Sequence, residues 1–600
     1  MAFIDSFVTL YLNTKSSTAL TTLFFLAATF LAYLLLNLYK KALPKAIPGI
    51  PYSPKATRRI LGDLPDLVAV VSKTGDASAW FHEQAAQHDS PLCQIFIQPL
   101  GPPILLLSDF REAQDVCMRH REFGRGSLTA DLFKGPIPLN HITFGLDDKW
   151  KAHRRLLQDL MSPPFLQNAA GPAIYANVLH LINLWHEKAR IADGRPFSAG
   201  QDMLYAALDA VTAFSFGKEF PHNATKPVLD LIYGLTTAQV SELRGGGNLD
   251  DPIEFPSVKF DDVTQAILDM AINIERLQGS ILPVWKWKFI EKFPSLARTV
   301  RLKNLFITEE LKKASEKPHD DDGSWTHSAV DLMVQRERKL AQDEKRMPEV
   351  FSPMLQDELF GFILAGHDTT STTMLWGLKL LADHPSVQSH LRTATESGYV
   401  DAFKESRQPS IEEIMQIKVP YLDAVAEEIL RCAGTVPLIE REALCDTVLL
   451  GYPIPKGTKI LCLGQGASIR KSAYKIDEAR RSEKCRSAPE WDAEDVAAFK
   501  PVRWLRRSDV SGATEINGER DVNVDYEFDS AAGPQLAFGL GKRGCFGKRL
   551  ARVELRVLLS LILWNFEIQR NPEELSGYAA KQRLTYHPAK SYVRLKKVRR

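Results

Sequence analysis

The chain has 600 residues, 45% hydrophobic and 25% charged, which supplies a sizeable core, shows no collagen-like, disordered or disulfide-rich bias, and leaves the domain count open between one and two. Its 75 Lys and Arg against 73 Asp and Glu leave a formal charge of +2, too little for a field that gathers a polyanion, which argues against nucleic acid as a partner. Seven cysteines with no C-x-x-C pair argue against structural zinc and a disulfide framework; Cys93, Cys117, Cys432, Cys445, Cys462 and Cys485 read as small hydrophobes, and Cys545 stands apart.

In chain order, the first element is a membrane helix. No charge occurs from Ser16 to Tyr39, and Ala19 to Leu38 is apolar over about the 20 residues that cross a bilayer core. The segment lacks a basic n-region and a small-x-small cleavage site, so retention is expected over removal. Lys40, Lys41 and Lys45 follow the span, which places the bulk of the chain in the cytosol. Pro44, Pro48, Pro51 and Pro54 then make a stiff elbow. Residues 1–45 therefore read as anchor and linker, and 46–600 as the body.

Residues 93–98 and 104–108 read as a hairpin and 459–463 as a further strand. Helical periodicity dominates elsewhere, at about 150–162, 174–190, 202–215, 353–382, 420–432 and 546–565. Segments 315–328 and much of 468–534 lack an apolar period and read as surface loops or insertions. The expected class is mainly α with small β-sheets.

Four local patterns carry chemistry. Trp150 and Arg154 are four residues apart, on one helix face. The 353–382 helix starts with Pro353 at a first-turn position and holds Ala365-Gly366-His367-Asp368-Thr369-Thr370 at its centre; Gly366 costs about 1 kcal/mol against Ala, and the Ser/Thr run offers bonds that bend or widen a helix. Ser410 and Glu413 form a capping box, and Glu428 and Arg431 in the next helix are spaced to pair. Finally, residues 538–547 read Phe-Gly-Leu-Gly-Lys-Arg-Gly-Cys-Phe-Gly just before a helical pattern. A thiolate ligand needs its charge stabilised, by the N–H groups of a tight loop and the positive end of the following helix. Gly541 and Gly547 permit that loop and a close approach to a porphyrin; Arg543 can neutralise a propionate and Phe538 can shield the sulfur.

With these motifs in this order, the chain resembles the cytochrome P-450 superfamily, the cysteine-thiolate class of haem proteins, over nearly its whole length. It is most similar to eukaryotic microsomal members, and the Ala365–Thr373 string resembles fungal ones. The resemblance implies a haem-dependent monooxygenase that inserts one oxygen atom of O2 into a hydrophobic small molecule. It makes Cys545 the axial ligand of haem b, and Trp150, Arg154 and Arg441 partners of the propionates. It makes Asp368 and Thr369 an acid-alcohol pair that relays protons. Glu428, Arg431 and Arg503 become a structural triad, with Val502 standing where the family's supporting Glu is usual.

No flavin or nicotinamide fingerprint occurs, so electrons from NADPH must arrive through a separate, membrane-bound flavoprotein reductase. Lys542, Lys548, Arg549 and Arg552, with Lys149, Lys151 and Arg155, are expected to form its positive docking patch. The resemblance places the chain in the endoplasmic reticulum membrane as a single-pass protein. Two rivals are a peroxide-using isomerase or dehydratase, which Thr369 argues against, and a non-catalytic haem sensor, which needs no acid-alcohol relay.

Overall fold

The computed structural model describes residues 2–317, 328–488, 495–507 and 526–598. Helix α1 (Ala2–Ala42) carries Lys40 and Lys41 in its last turn, where cations complement the helix dipole, and ends just before Pro44. Its stretch Thr22–Ala42 is 21 residues long with mean hydropathy 1.8 and none of its apolar window buried, so it is long and apolar enough to cross a membrane.

The hairpin and strand read from the sequence occur as β1 (Leu92–Ile95), β2 (Ile104–Leu107) and, further on, β5 (Lys459–Leu463). With helix α2 (Phe110–Met118) between them in the chain, β3 (Phe123–Gly124) and β4 (Leu438–Ala443) complete a five-stranded sheet of order β1–β2–β5–β4–β3. The β2–β5 pair is parallel and the others are antiparallel. Because β1, β2 and β5 are almost wholly buried, they show continuous apolar runs rather than alternation.

The body is helical. Helices α3 (Asp148–Leu157), α4 (Gly171–Ala192), α5 (Gly200–Phe216), α6 (Asp262–Glu275), α7 (Pro283–Ile290) and α8 (Pro294–Glu316) precede the long α9 (Pro353–Asp383), followed by α10 (Pro420–Ala433) and α11 (Lys548–Asn565). The hydroxyl of Ser352 caps α9 by accepting from Leu355 N, with Pro353 at its first position. The helix runs unbroken through Gly366 and the Ser/Thr run, because the main core closes around it: it packs along α5 and against α10 and α11. Trp185, Phe214, Phe360 and Trp504 are fully buried in that core. Burying a side chain of this size contributes about 1.5–3 kcal/mol, more than the local cost of Gly366. A short hairpin, β6 (Ala580–Gln582) and β7 (Tyr586–Pro588), lies against the outer half of α9.

The stretch 468–534 is poor in helix as expected, although 489–494 and 508–525 lie outside the described residues, as do 318–327 of the other expected loop. It is not simply surface. Arg481 is buried against Asp109 (2.9 Å) and Glu112 (3.1 Å) at the start of α2, so a polar segment is pinned by ion pairs that no apolar period reveals.

Candidate active site

The loop before α11 is built as the glycines require. Gly541 has φ of +70° and a Cβ there would collide with the Cys117 carbonyl, so only glycine fits. Gly539, not singled out from the motif, also sits at positive φ, +59°. Gly547 has φ of −77° and a Cβ would meet nothing nearer than Cys545 Sγ at 4.0 Å; its role is proximity to the sulfur, not backbone freedom. Cys545 N donates to the Phe538 carbonyl at 2.7 Å. Cys545 has surface open to solvent although protein crowds its sulfur. Desolvation by the surrounding protein raises its thiol pKa, opposed by the N–H groups of Gly547 and Lys548 and by the charges of Arg154 and Lys548. Those N–H groups and cations are the part of the surroundings that favours a thiolate; burial works against it.

Beside the loop stand four arginines. Arg154 lies over Phe546 (4.3 Å) and Trp150 (5.6 Å), and Arg543 lies on Trp150 as well (5.2 Å). Arg543 donates to the Phe144 carbonyl, and Arg441 donates to the carbonyls of Glu440 (2.8 Å) and Leu540 (3.3 Å). Arg125, which the motifs did not reveal, completes the set. Burial first, then the charge of Arg441, pushes Arg125 down to about 10; burial, then Arg125 and Arg441, pushes Arg543 down to about 9. A guanidinium stays protonated in practice, so the direction of these shifts reflects burial of the charges first and their crowding second. The Nε atoms of Arg125 and Arg543 are buried without a partner, and among the described residues none of the four arginines is within salt-bridge reach of a carboxylate. The nearby Glu440 is spent on the amides of Leu128 (2.9 Å) and Thr129 (2.7 Å). A dianion is what such a cluster lacks, and the two propionates of a haem fit it.

On the other side, α9 carries Asp368 and Thr369. Adjacent residues on a helix point about 100° apart, and these two do not bond each other among the described contacts. Thr369 donates back to the Ala365 carbonyl (2.7 Å). Asp368 accepts from Thr585 (2.8 Å) and lies 3.2 Å from His587 Nε2. Burial would raise the Asp368 carboxyl, but His587, His367 and Thr585 outweigh it and hold the acid below its ordinary range. The next hydroxyl, Thr370, donates to Glu554 of α11 (2.8 Å), an acid that burial pushes up to about 8. Near the start of α9, Glu358 lies 2.6 Å from His153 Nδ1 of α3 and 2.8 Å from His141 Nδ1, bracing the two helices.

Chemistry and comparison agree at this point. The sequence profile described as Cytochrome P450 matches residues 80–475 and 490–591. The chain belongs to the cytochrome P450 family. Cytochrome P450 monooxygenase TRI13 of Fusarium sporotrichioides is 41% identical over 96% of this chain and 99% of the relative, and xilC of Penicillium rubens is 35% identical over 95% and 96%. The crystal structure of the cytochrome P450DA heme domain shares the fold, with a TM-score of 0.62 at 19% identity over 93% of this chain and 98% of that one. As a cytochrome P450 the chain is a haem-dependent monooxygenase, which takes a substrate, dioxygen and a redox partner.

Two remaining expectations are refined by this cytochrome P450. Glu428 is bonded by Arg431 (2.7 and 2.8 Å), Arg503 (3.1 Å), Trp504 Nε1 (2.9 Å) and Lys500 N (2.7 Å), so the three charged residues do meet. The support that Val502 cannot give comes from Asp495, 2.9 Å from Arg503. Of the seven basic residues expected on the surface, Lys149, Lys151, Arg155, Lys542 and Arg549 are exposed. Lys548 and Arg552 instead fold back over the Phe538 ring, and Arg552 pairs with Glu427 at 2.7 Å.

Proposed function

We propose that this cytochrome P450 is a membrane-anchored oxidase of hydrophobic small molecules in secondary metabolism, with Cys545 as the axial thiolate ligand of haem b. The observation that carries it is the set of arginines without acids, Arg125, Arg154, Arg441 and Arg543, gathered beside the Cys545 loop. When bound, the haem supplies oxygen activation at an electron-rich iron. The chain's own residues do the rest. Arg125, Arg441 and Arg543 hold the propionates, Trp150 and Arg154 pack beside them, and the backbone of Gly547 and Lys548 steadies the sulfur. Asp368, bonded by Thr585 of the hairpin, would hold and pass on a proton, and Thr369, bonded to the Ala365 carbonyl, would orient the group that receives it. Glu428, Arg431 and Arg503 keep the loop in place.

The anchor reading of residues 1–45 extends to a single-pass protein of the endoplasmic reticulum whose body, 46–600, is the catalytic domain. Exposed Leu282, Trp285 and Phe289 on and next to α7, flanked by Lys286, Lys288 and Lys292, support contact of the body with a lipid surface. NADPH-derived electrons come through a flavoprotein reductase that docks by Lys149, Lys542 and Arg549.

The test is the reduced carbon monoxide complex of Cys545→Ser. The thiolate-type band should vanish, because a hydroxyl is a far weaker electron donor; a band near full amplitude would overturn the ligand assignment.

A further inference from the structure

Asp368 is held by a hydrogen-bonded ring that crosses from α9 to the hairpin. Thr372 lies four residues on from Asp368, so the two share a helix face. Thr585 donates to Asp368 Oδ2 at 2.8 Å, the hydroxyls of Thr372 and Thr585 are 2.7 Å apart, Thr372 Oγ1 is 2.8 Å from His587 Nε2, and that nitrogen is 3.2 Å from Asp368 Oδ1. Each hydroxyl has one proton to give. Thr585 gives its proton to the carboxylate, so Thr372 must give its own to Thr585. The Thr372 oxygen is then an acceptor toward His587, and Nε2 must carry a hydrogen shared between Thr372 and Asp368. With Asp368 ionised, all four contacts are satisfied in this one order, and both arms of the ring end on the carboxylate.

The ring does not owe its shape to Asp368. Trp376 Nε1 donates to the Tyr586 carbonyl (2.7 Å), Tyr586 N donates to the Thr435 carbonyl (3.0 Å), and the Tyr586 hydroxyl donates to Asp76 (2.7 Å), so the hairpin is pinned on three sides at the residue next to His587. The imidazole keeps 12% of its side chain exposed. The other charged groups facing Asp368 are His367 on α9, Glu275 on α6 and, through Glu275, Arg583 on the hairpin segment.

We propose that His587, Thr372 and Thr585 are positioning residues of the distal acid, an ordered ring that refills Asp368 with protons from the hairpin side. This rests on the reading of Asp368 as that acid. In one delivery His587 Nδ1 takes a proton from solvent hydronium, leaving water, and Nε2 releases one to Thr372, the ring returning to its first order by exchange with solvent after Asp368 has passed its proton on. Thr372 passes its own to Thr585, and Thr585 passes its own to Asp368. Asp368 ends protonated, and His587 ends neutral with its hydrogen on Nδ1. No electrons move.

Two measurements test it without a known substrate. In reductase-driven oxidation of NADPH with none added, dioxygen is reduced either by two electrons to hydrogen peroxide or, when protons reach the distal side, by four to water. The ratio of NADPH to dioxygen consumed therefore reads proton delivery. Infrared titration of the resting protein reads the protonated Asp368 carboxyl directly, assigned by its loss in Asp368→Asn. His587→Phe should move the ratio toward one, with severalfold more peroxide, and shift the carboxyl titration up by about one pH unit, because an N–H donor to the ionised form is gone. His587→Gln keeps a donor but cannot pass a proton: the titration should return and the ratio should not. Thr372→Val, of the same volume and on a buried helix, breaks the ring independently should His587→Phe lose its carbon monoxide band. A normal ratio in both His587→Phe and Thr372→Val, while Asp368→Asn stays defective, would overturn the ring and leave the acid assigned; full rescue of the ratio by Gln would overturn the relay. A normal ratio in Asp368→Asn would instead sink the reading of the acid itself.

Discussion

Two sets of inward-facing arginines lie in this molecule under opposite charge balance. Arg431 and Arg503 converge on Glu428, whose side chain has no exposed surface, and every remaining donor finds an acceptor: Arg431 reaches the carbonyls of Val496 and Ala498, each at 2.7 Å. Arg125, Arg441 and Arg543 converge on one another; among the described residues Arg441 and Arg543 donate to carbonyls and no carboxylate pairs with any of the three, while the Nε atoms of Arg125 and Arg543 are left over. The motifs mark Arg431, Arg503, Arg441 and Arg543 alike, and leave Arg125 unmarked. The difference in partners separates them: a closed ion-pair network is balanced within the chain and costly to break, whereas like charges held together cost stability until an anion arrives. On the function proposed above, the first set serves the fold and the second would hold the cofactor.

The largest expected effect breaks the closed set. Glu428→Gln leaves the buried Arg431 without a counter-charge and Arg503 with Asp495 alone, and should cost about 3–5 kcal/mol, read as a fall in the urea midpoint and in the yield of folded haem protein. Unchanged stability would mean that Asp495 and the carbonyls suffice. Next comes the open set. Arg543→Met or Arg125→Met should speed haem loss about 10- to 100-fold, the equivalent of one charge-assisted bond of about 1.5–3 kcal/mol, while the urea midpoint of the haem-free protein holds or rises as the crowding is relieved. A loss of scaffold stability as large as that of Glu428→Gln would make the two sets alike and remove the contrast. The smallest effect concerns cations that are already solvated. Reversing Lys542 and Arg549 to Glu should slow reductase-driven turnover severalfold at low ionic strength, with the difference fading as salt rises and peroxide-driven turnover spared. Equal losses by both routes would show that these residues serve the fold.

The contrast also explains what could be read in advance. Trp150 with Arg154, Glu428 with Arg431, and the Phe538–Gly547 loop are patterns within a turn or two of the chain, where a period of 3.6 residues or a glycine at positive φ dictates the neighbour. Pro353 and Ser352 likewise announced the start of α9. These local rules, together with the uncharged stretch before Lys40, determined the apolar N-terminal helix, the mainly helical class and the order of the motifs. Tertiary structure alone decided the rest. Arg125 meets Arg543 across more than four hundred residues of chain, Asp495 does the work that Val502 cannot, Arg481 draws a polar segment into the body, and His587 closes a ring on Asp368 from a hairpin near the C-terminus. The physical reason is the same in each case: a side chain's counter-charge or proton donor is chosen by which elements pack together, and packing joins residues whose separation along the chain follows no period.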